Sequence, residues 1–89
     1  MVRSIGLSRS VSGRVAEFLL ESATDGQVTN GVVRARLAMT HEEIAQITGT
    51  SRETITRILS EFRKKDIIEL KNSTLTIHNK PALEQLVAA

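Results

Sequence analysis

Apolar side chains recur along this sequence with a helical period in some stretches and an alternating one in others. Val15, Phe18, Leu19 and Ser22 fall at helical spacing, and Ala16 and Leu20 widen the same stripe. Thr24-Asp25-Gly26 then supplies a stop, so the pattern predicts a first helix over about Val11 to Ala23. Residues 1–9, MVRSIGLSR, carry no such period and read as a loose arm. The expected organisation is an arm over residues 1–10 and one folded domain over 11–89.

Beyond the first helix the period shortens. Asn30-Gly31 is a turn pair, and after it Val33, Ala35, Leu37 and Met39 alternate with Arg34 and Arg36, which predicts a short half-buried strand. In Thr40-His41-Glu42-Glu43 the threonine can cap the free amides of a second helix while Glu43 reaches back to it, a capping box. Gly49 ends that helix after about two turns, and Ser51 caps a third that runs to about Lys65. Two short capped helices around a glycine turn make a helix-turn-helix. Ile67-Ile68-Glu69-Leu70 and Thr74-Leu75-Thr76-Ile77 then flank Lys71-Asn72-Ser73 as a β-hairpin, and Asn79 with Pro81 opens a small helix through Val87. A helix-turn-helix followed by a hairpin describes a winged helix: mainly α with a small β component, a three-helix core, a hairpin wing and a short C-terminal helix.

The third helix separates its residue types sharply. At about 100° per residue, Ile55, Ile58, Leu59 and Phe62 share one arc and are the expected core face. Arg52, Glu53, Thr56, Arg57, Ser60, Arg63 and Lys64 occupy the other side. One reading sends that side into a DNA major groove. Arginine presents a fork matching guanine O6 and N7, and glutamate accepts from the cytosine amino group, so Arg52, Glu53 and Arg57 are candidate base readers. Thr50, Ser51 and Thr54 bring short hydroxyls to the positive helix end, where phosphate is favoured. The plainer reading is a solvated helix face, with Ser51 an ordinary cap and Glu53–Arg57 an i,i+4 pair worth about 0.2–0.5 kcal/mol. The capped helix and glycine turn in front of it favour DNA reading. A second function, docking of the third helix and hairpin on a protein partner, would call for apolar anchors on the outer face; Arg52, Thr56 and Ser60 offer none.

Composition narrows the alternatives. Eighty-nine residues suit a single domain. Phe18 and Phe62 are the only aromatics, so the core must be aliphatic, which favours packed helices over an all-β sandwich. The chain has no cysteine and hence neither a disulfide framework nor a cysteine zinc site. No stretch is long and apolar enough to span a membrane, and the expected location is the cytoplasm. A net charge of +2 is compatible with a nucleic-acid partner without arguing for one.

Other motifs carry little chemistry. His41-Glu42-Glu43-Ile44-Ala45 approaches the HExxH pattern of zinc proteases, but Ala45 stands where the second histidine must be. His41 is expected to be a solvated first-turn residue and His78 a strand-end residue near phosphate. Asn72-Ser73-Thr74 matches a glycosylation sequon that an intracellular chain would not use. No nucleophile is placed beside a base, so no catalysis, cofactor or metal is expected. Lys71, Asn72 and Ser73 at the hairpin tip are candidate phosphate contacts as well as ordinary turn residues, and Arg63, Lys64 and Lys65 suit either phosphate or a helix C-terminus.

The string MTHEEIAQITGTSRETITRILSEFRKKDIIEL, with SGRVAEFLL upstream, resembles the C-terminal winged-helix domain of the cyclic-AMP receptor protein/Fnr family of bacterial transcription regulators, over about Val11 to Leu86. The resemblance implies a recognition helix in the major groove of a palindromic promoter site. By position it implies base reading by Arg52, Glu53 and Arg57, with Thr56 at a neighbouring variable position, and phosphate contact by Thr40, Ser51 and Thr54. The Arg-Glu-x-x-x-Arg form is similar to the branch that reads TGTGA-like half-sites. It also implies a homodimer in a full-length regulator, with RNA polymerase as a further partner. Members usually carry an effector-binding β-barrel and a long dimerisation helix, and neither is found in this sequence; Ile5 and Leu7 fit the tail of that helix. The chain alone is expected to be monomeric or weakly dimeric and to bind specific DNA weakly. Thr48 and Thr50 depart from the apolar residues usual at the turn.

Overall fold

Ser10 opens the first helix, its Oγ accepting a 2.9 Å hydrogen bond from the Gly13 amide. The structure, a computed structural model, describes residues 10–88. Their order is α1 (Val11–Ser22), β1 (Gln27–Thr29), β2 (Val32–Arg36), α2 (His41–Thr48), α3 (Arg52–Lys64), β3 (Ile68–Lys71), β4 (Thr74–Ile77) and α4 (Lys80–Ala88). The winged-helix architecture is therefore formed. The arm, apart from Ser10, and the dimerisation-helix tail proposed for Ile5 and Leu7 lie outside the described residues.

The sheet is larger than the sequence pattern indicated. β1 and β2 are joined by Asn30 and Gly31, both at positive φ (53° and 79°), which lets a two-residue turn match the twist of its strands. The three residues of β1 are all exposed, so no alternation marked them as a strand. β2 also pairs with β4, giving the antiparallel order β1-β2-β4-β3. The wing hairpin is thus half of a four-stranded sheet. Val33, Ile77 and Ile68 stand in one row and Ala35, Leu75 and Leu70 in the next. Leu75 and Ile77, on the inner strand β4, are fully buried. β2 ends at Arg36, so Leu37 and Met39, expected on the strand, lie in the segment leading to α2, with Leu37 buried and Met39 half-buried. The Leu37 amide still pairs, donating to the Ser73 carbonyl at 2.9 Å and tying that segment to the hairpin tip.

The sheet packs with the helices around one aliphatic core. Val15, Ala16 and Leu19 of α1, Ile44 and Ala45 of α2, Ile55, Ile58, Leu59 and Phe62 of α3 and Leu83 of α4 all join it. Each fully buried leucine or isoleucine contributes about 1.5–3 kcal/mol by leaving water. Phe18 and Leu20 pack at its margin, half-buried.

Local signals set the helix ends. At α2 the capping box forms as the sequence indicated: Thr40 Oγ1 accepts from the Glu43 amide at 3.1 Å, and the Thr40 amide donates to Glu43 Oε1 at 2.8 Å. Gly49 ends the helix at φ 74°, a left-handed conformation that a β-carbon disfavours. Thr48, polar where packing usually wants an apolar residue, is buried with its hydroxyl donating 2.8 Å to the Ile44 carbonyl. Its polarity is satisfied inside its own helix. Asn79 caps α4, its Oδ1 accepting from the Ala82 amide at 3.2 Å, which leaves Pro81 in the first turn where no amide hydrogen is needed.

Candidate nucleic-acid interface

Burial of one face of α3 is what creates the other. Ile55, Ile58, Leu59 and Phe62 are at most 5% exposed. Arg52, Glu53, Thr56, Arg57, Arg63 and Lys64 are exposed, and Ser60 is half-buried between the two classes. The rigid core therefore presents two arginines, a glutamate and a threonine over the first turns of one helix. That arrangement offers paired donors, carboxylate acceptors and a hydroxyl, the groups that discriminate base edges in a major groove.

The N-terminus of α3 is occupied by its own cap. Ser51 Oγ accepts from the Thr54 amide at 3.2 Å and donates to Thr54 Oγ1 at 2.9 Å. The Thr54 hydroxyl hydrogen thus remains to donate outward, while Ser51 acts chiefly on the helix. Thr54 and Thr50 are half-buried, and the Thr50 amide is spent on the Ala45 carbonyl at 2.9 Å. Thr40, likewise, is engaged in its capping box.

Two pairings differ from the sequence reading. Arg57 Nη1 lies 3.4 Å from Glu61 Oε2, so the i,i+4 pair is Arg57–Glu61 and not Glu53–Arg57. At 61% and 49% side-chain exposure this pair is worth little, and Arg57 can exchange Glu61 for another acceptor cheaply. His41, expected to be merely solvated, is half-buried with its Nδ1 2.8 Å from Thr56 Oγ1. The bond links the start of α2 to the middle of the outward face of α3. Fifteen residues separate the two, and no local pattern announces such a contact.

The hairpin tip joins the same surface. His41, Lys71, Asn72 and Ser73 line one cleft, floored by Leu37, Met39, Ile44 and Leu70. Lys71 is the last residue of β3, and the turn itself is Asn72-Ser73 at φ 53° and 62°. All three tip residues are exposed. The start of α2, the middle of α3 and the hairpin tip therefore meet around His41. His78 sits away from that cleft, on the outer hairpin, with Nε2 3.4 Å from Glu69 Oε1, where a carboxylate rather than an anion site faces it. Among the described residues there is no cluster of side chains able to hold a metal ion, and no helix is long and apolar enough to cross a membrane.

A second distant contact supports the turn. Arg14 Nε on α1 donates to the Thr48 carbonyl at 2.8 Å, across 34 residues of sequence. It satisfies a carbonyl at the end of α2 and places a cation at that helix's negative pole.

A glycine-jointed helix pair, a polar outer helix on a buried apolar seat and a hairpin beside it define a winged helix-turn-helix domain of the DNA-binding kind. Residues 13–86 match the Crp-like helix-turn-helix domain family, and the chain belongs to it. It is similar to a "Global nitrogen regulator" of Synechocystis sp., 33% identical over 78 residues, 86% of this chain and 35% of that protein. It is similar also to a "CRP-like cAMP-activated global transcriptional regulator" of Mycobacterium tuberculosis, 38% identical over 74 residues, 82% of this chain and 33% of that protein. Among solved structures, the CO-dependent transcription factor CooA from Carboxydothermus hydrogenoformans superposes with a TM-score of 0.77 at 31% identity, over 88% of this chain and 37% of that one. The chain spans about a third of the length of the curated relatives it matches. Membership of this family makes it a DNA-binding domain of transcription regulation and not an enzyme.

Proposed function

We propose that the chain is the sequence-reading module of a transcription regulator, with α3 in the major groove of a TGTGA-like half-site. Arg52, Glu53, Thr56 and Arg57 meet base edges, the arginines on guanine and the glutamate on cytosine. Thr40, Thr50, Ser51, Thr54, Lys71, Asn72 and Ser73 hold the backbone on either side. The observation that carries this reading is the sidedness of α3, whose four apolar residues are buried while these four readers are exposed. The hairpin tip flanking that face supports it, because it offers Lys71 and two turn residues to the adjacent strand.

Residues 11–89 are the module. Its parent pairs two such modules on half-sites about 34 Å apart, and RNA polymerase is a further partner of that assembly. That the similar proteins are global regulators favours this setting. Selection of bound sequences from random duplexes, followed by salt titration, tests the reading. A TGTGA-like motif should be enriched, and affinity should fall steeply with salt. Absence of any motif together with a flat salt dependence would leave the module a protein-docking winged helix.

A further inference from the structure

Two hydroxyls within the helices of this domain bond their own backbone. Ser22 donates to the Phe18 carbonyl and Thr48 to that of Ile44, each four residues back. Thr56 is different: its Oγ1 turns across to α2 and meets His41 Nδ1 at 2.8 Å. A threonine hydroxyl has one hydrogen and two lone pairs, so whatever takes the hydrogen decides what the oxygen can offer elsewhere. With the ring proton on Nε2, Nδ1 accepts the Thr56 hydrogen and Oγ1 is left with lone pairs alone. With the proton on Nδ1, the ring donates instead, and the hydroxyl hydrogen is free to turn outward.

We propose that His41 is a positioning residue for base selection: it accepts the Thr56 hydroxyl hydrogen and so presents Thr56 to the groove as an acceptor only. The proposal rests on the reading of α3 as the recognition helix. An acceptor in the major groove is matched by the amino group of adenine or cytosine and opposed by guanine O6 and N7 and thymine O4. His41 therefore selects an amino-bearing base on the strand that Thr56 meets without touching DNA through its ring. The surroundings hold the ring for this task. His41 is the first residue of α2, following the Thr40 cap, and its cleft is floored by Leu37, Met39, Ile44 and Leu70. Lys71 from the hairpin is the charged residue lining the same cleft, and Glu43, two residues on in α2, is held by the Thr40 amide. From α3 the ring receives the Thr56 hydroxyl.

The test uses the whole 89-residue chain with the variants His41→Phe, at a half-buried position, and Thr56→Val, at an exposed one. Affinities are measured on duplexes carrying each of the four base pairs in turn at every position of the selected half-site. The native chain should favour adenine or cytosine over guanine or thymine at one position by about three- to tenfold, the size of one hydrogen bond gained or left unmade. Each variant should flatten that preference at the same position, and the double variant should flatten it no further. Uniform weakening on all duplexes with the preference intact would overturn the proposal. Imidazole ¹⁵N spectra of the free chain give a second arm independent of DNA. Nδ1 of His41 should appear unprotonated and should shift in Thr56→Val; a protonated Nδ1, or no shift, overturns the link while leaving α3 a recognition helix. Failure of every duplex to bind better than scrambled DNA would instead overturn the recognition-helix reading itself, and the proposal with it.

Discussion

The Arg14 guanidinium donates through Nε to the Thr48 carbonyl at 2.8 Å, so the first helix closes the end of the helix that precedes the Gly49 turn. Thr48 is the last residue of α2 and Gly49 makes the turn, so this one bond fixes α1 against the joint on which α3 is mounted. Arg14→Met keeps the aliphatic stem and removes the donor. The expected loss is about 1–2 kcal/mol, since hydrogen bonds from charged groups exceed neutral ones. Thermal unfolding should register it as a fall of about 4–8 °C per kcal/mol for a domain of this size. An unchanged melting temperature would mean that water replaces the guanidinium without cost.

Gly49 and Gly26 are both needed, for different reasons, and one substitution separates them. Gly49 stands at φ 74° with nothing within 4 Å of where its Cβ would be. Its problem is conformation, and asparagine, which tolerates the left-handed region, should recover much of the roughly 1–2 kcal/mol that alanine loses there. A Cβ on Gly26 would lie 2.6 Å from the Arg34 carbonyl oxygen, a backbone atom of β2 that cannot swing aside. Alanine and asparagine at position 26 should both cost about 1–3 kcal/mol, with no recovery by asparagine. Chemical denaturation of the four variants decides the matter.

Ser73 holds φ 62° without being glycine, next to Asn72 at φ 53°. A two-residue turn of this kind favours glycine at its second position. Ser73→Gly should therefore stabilise the domain by about 0.5–1 kcal/mol, the relief of the left-handed strain less the added chain entropy of the unfolded state. Equilibrium urea unfolding should show a higher midpoint at unchanged slope. The Leu37 amide bond to the residue 73 carbonyl involves only the backbone and should survive the change.

Arg57 and Glu61 invite a separation of stability from DNA affinity. Their pair is 3.4 Å long and well exposed, so Glu61→Gln should change folding stability by less than about 0.5 kcal/mol. Removing a negative charge beside the proposed groove should nevertheless tighten binding to all duplexes and steepen its salt dependence. Arg57→Ala should behave oppositely in kind. It should lose about 1–3 kcal/mol on the selected site and far less on scrambled DNA. Equal losses on both would make Arg57 a backbone contact rather than a base reader.

Features that span a few residues were legible without a fold. Thr40 with Glu43, Gly49 and Ser51 announce their helix ends because a cap acts within three or four residues of its own position. The core face of α3 was readable because burial follows the helical period, and its outward face with Arg52, Glu53, Thr56 and Arg57 followed as the complement. Contacts between distant segments were not. Val33 pairs with Ile77 across 44 residues, and that pairing is what turns a lone strand and a wing into one sheet. Three exposed residues of β1 join it through backbone bonds that no side-chain pattern records. The partner of Arg57 was decided by side-chain placement on a face where Glu53 and Glu61 both stand one turn away. Arg14 reaches Thr48, and His41 reaches Thr56, only because α1, α2 and α3 share one core. The four helices, the wing hairpin, the caps of α2 and α3 and the polar face that α3 exposes could be read along the chain, because each is set by interactions within a few residues. Tertiary structure alone decided which segments meet, since the packing that brings them together depends on the whole core at once.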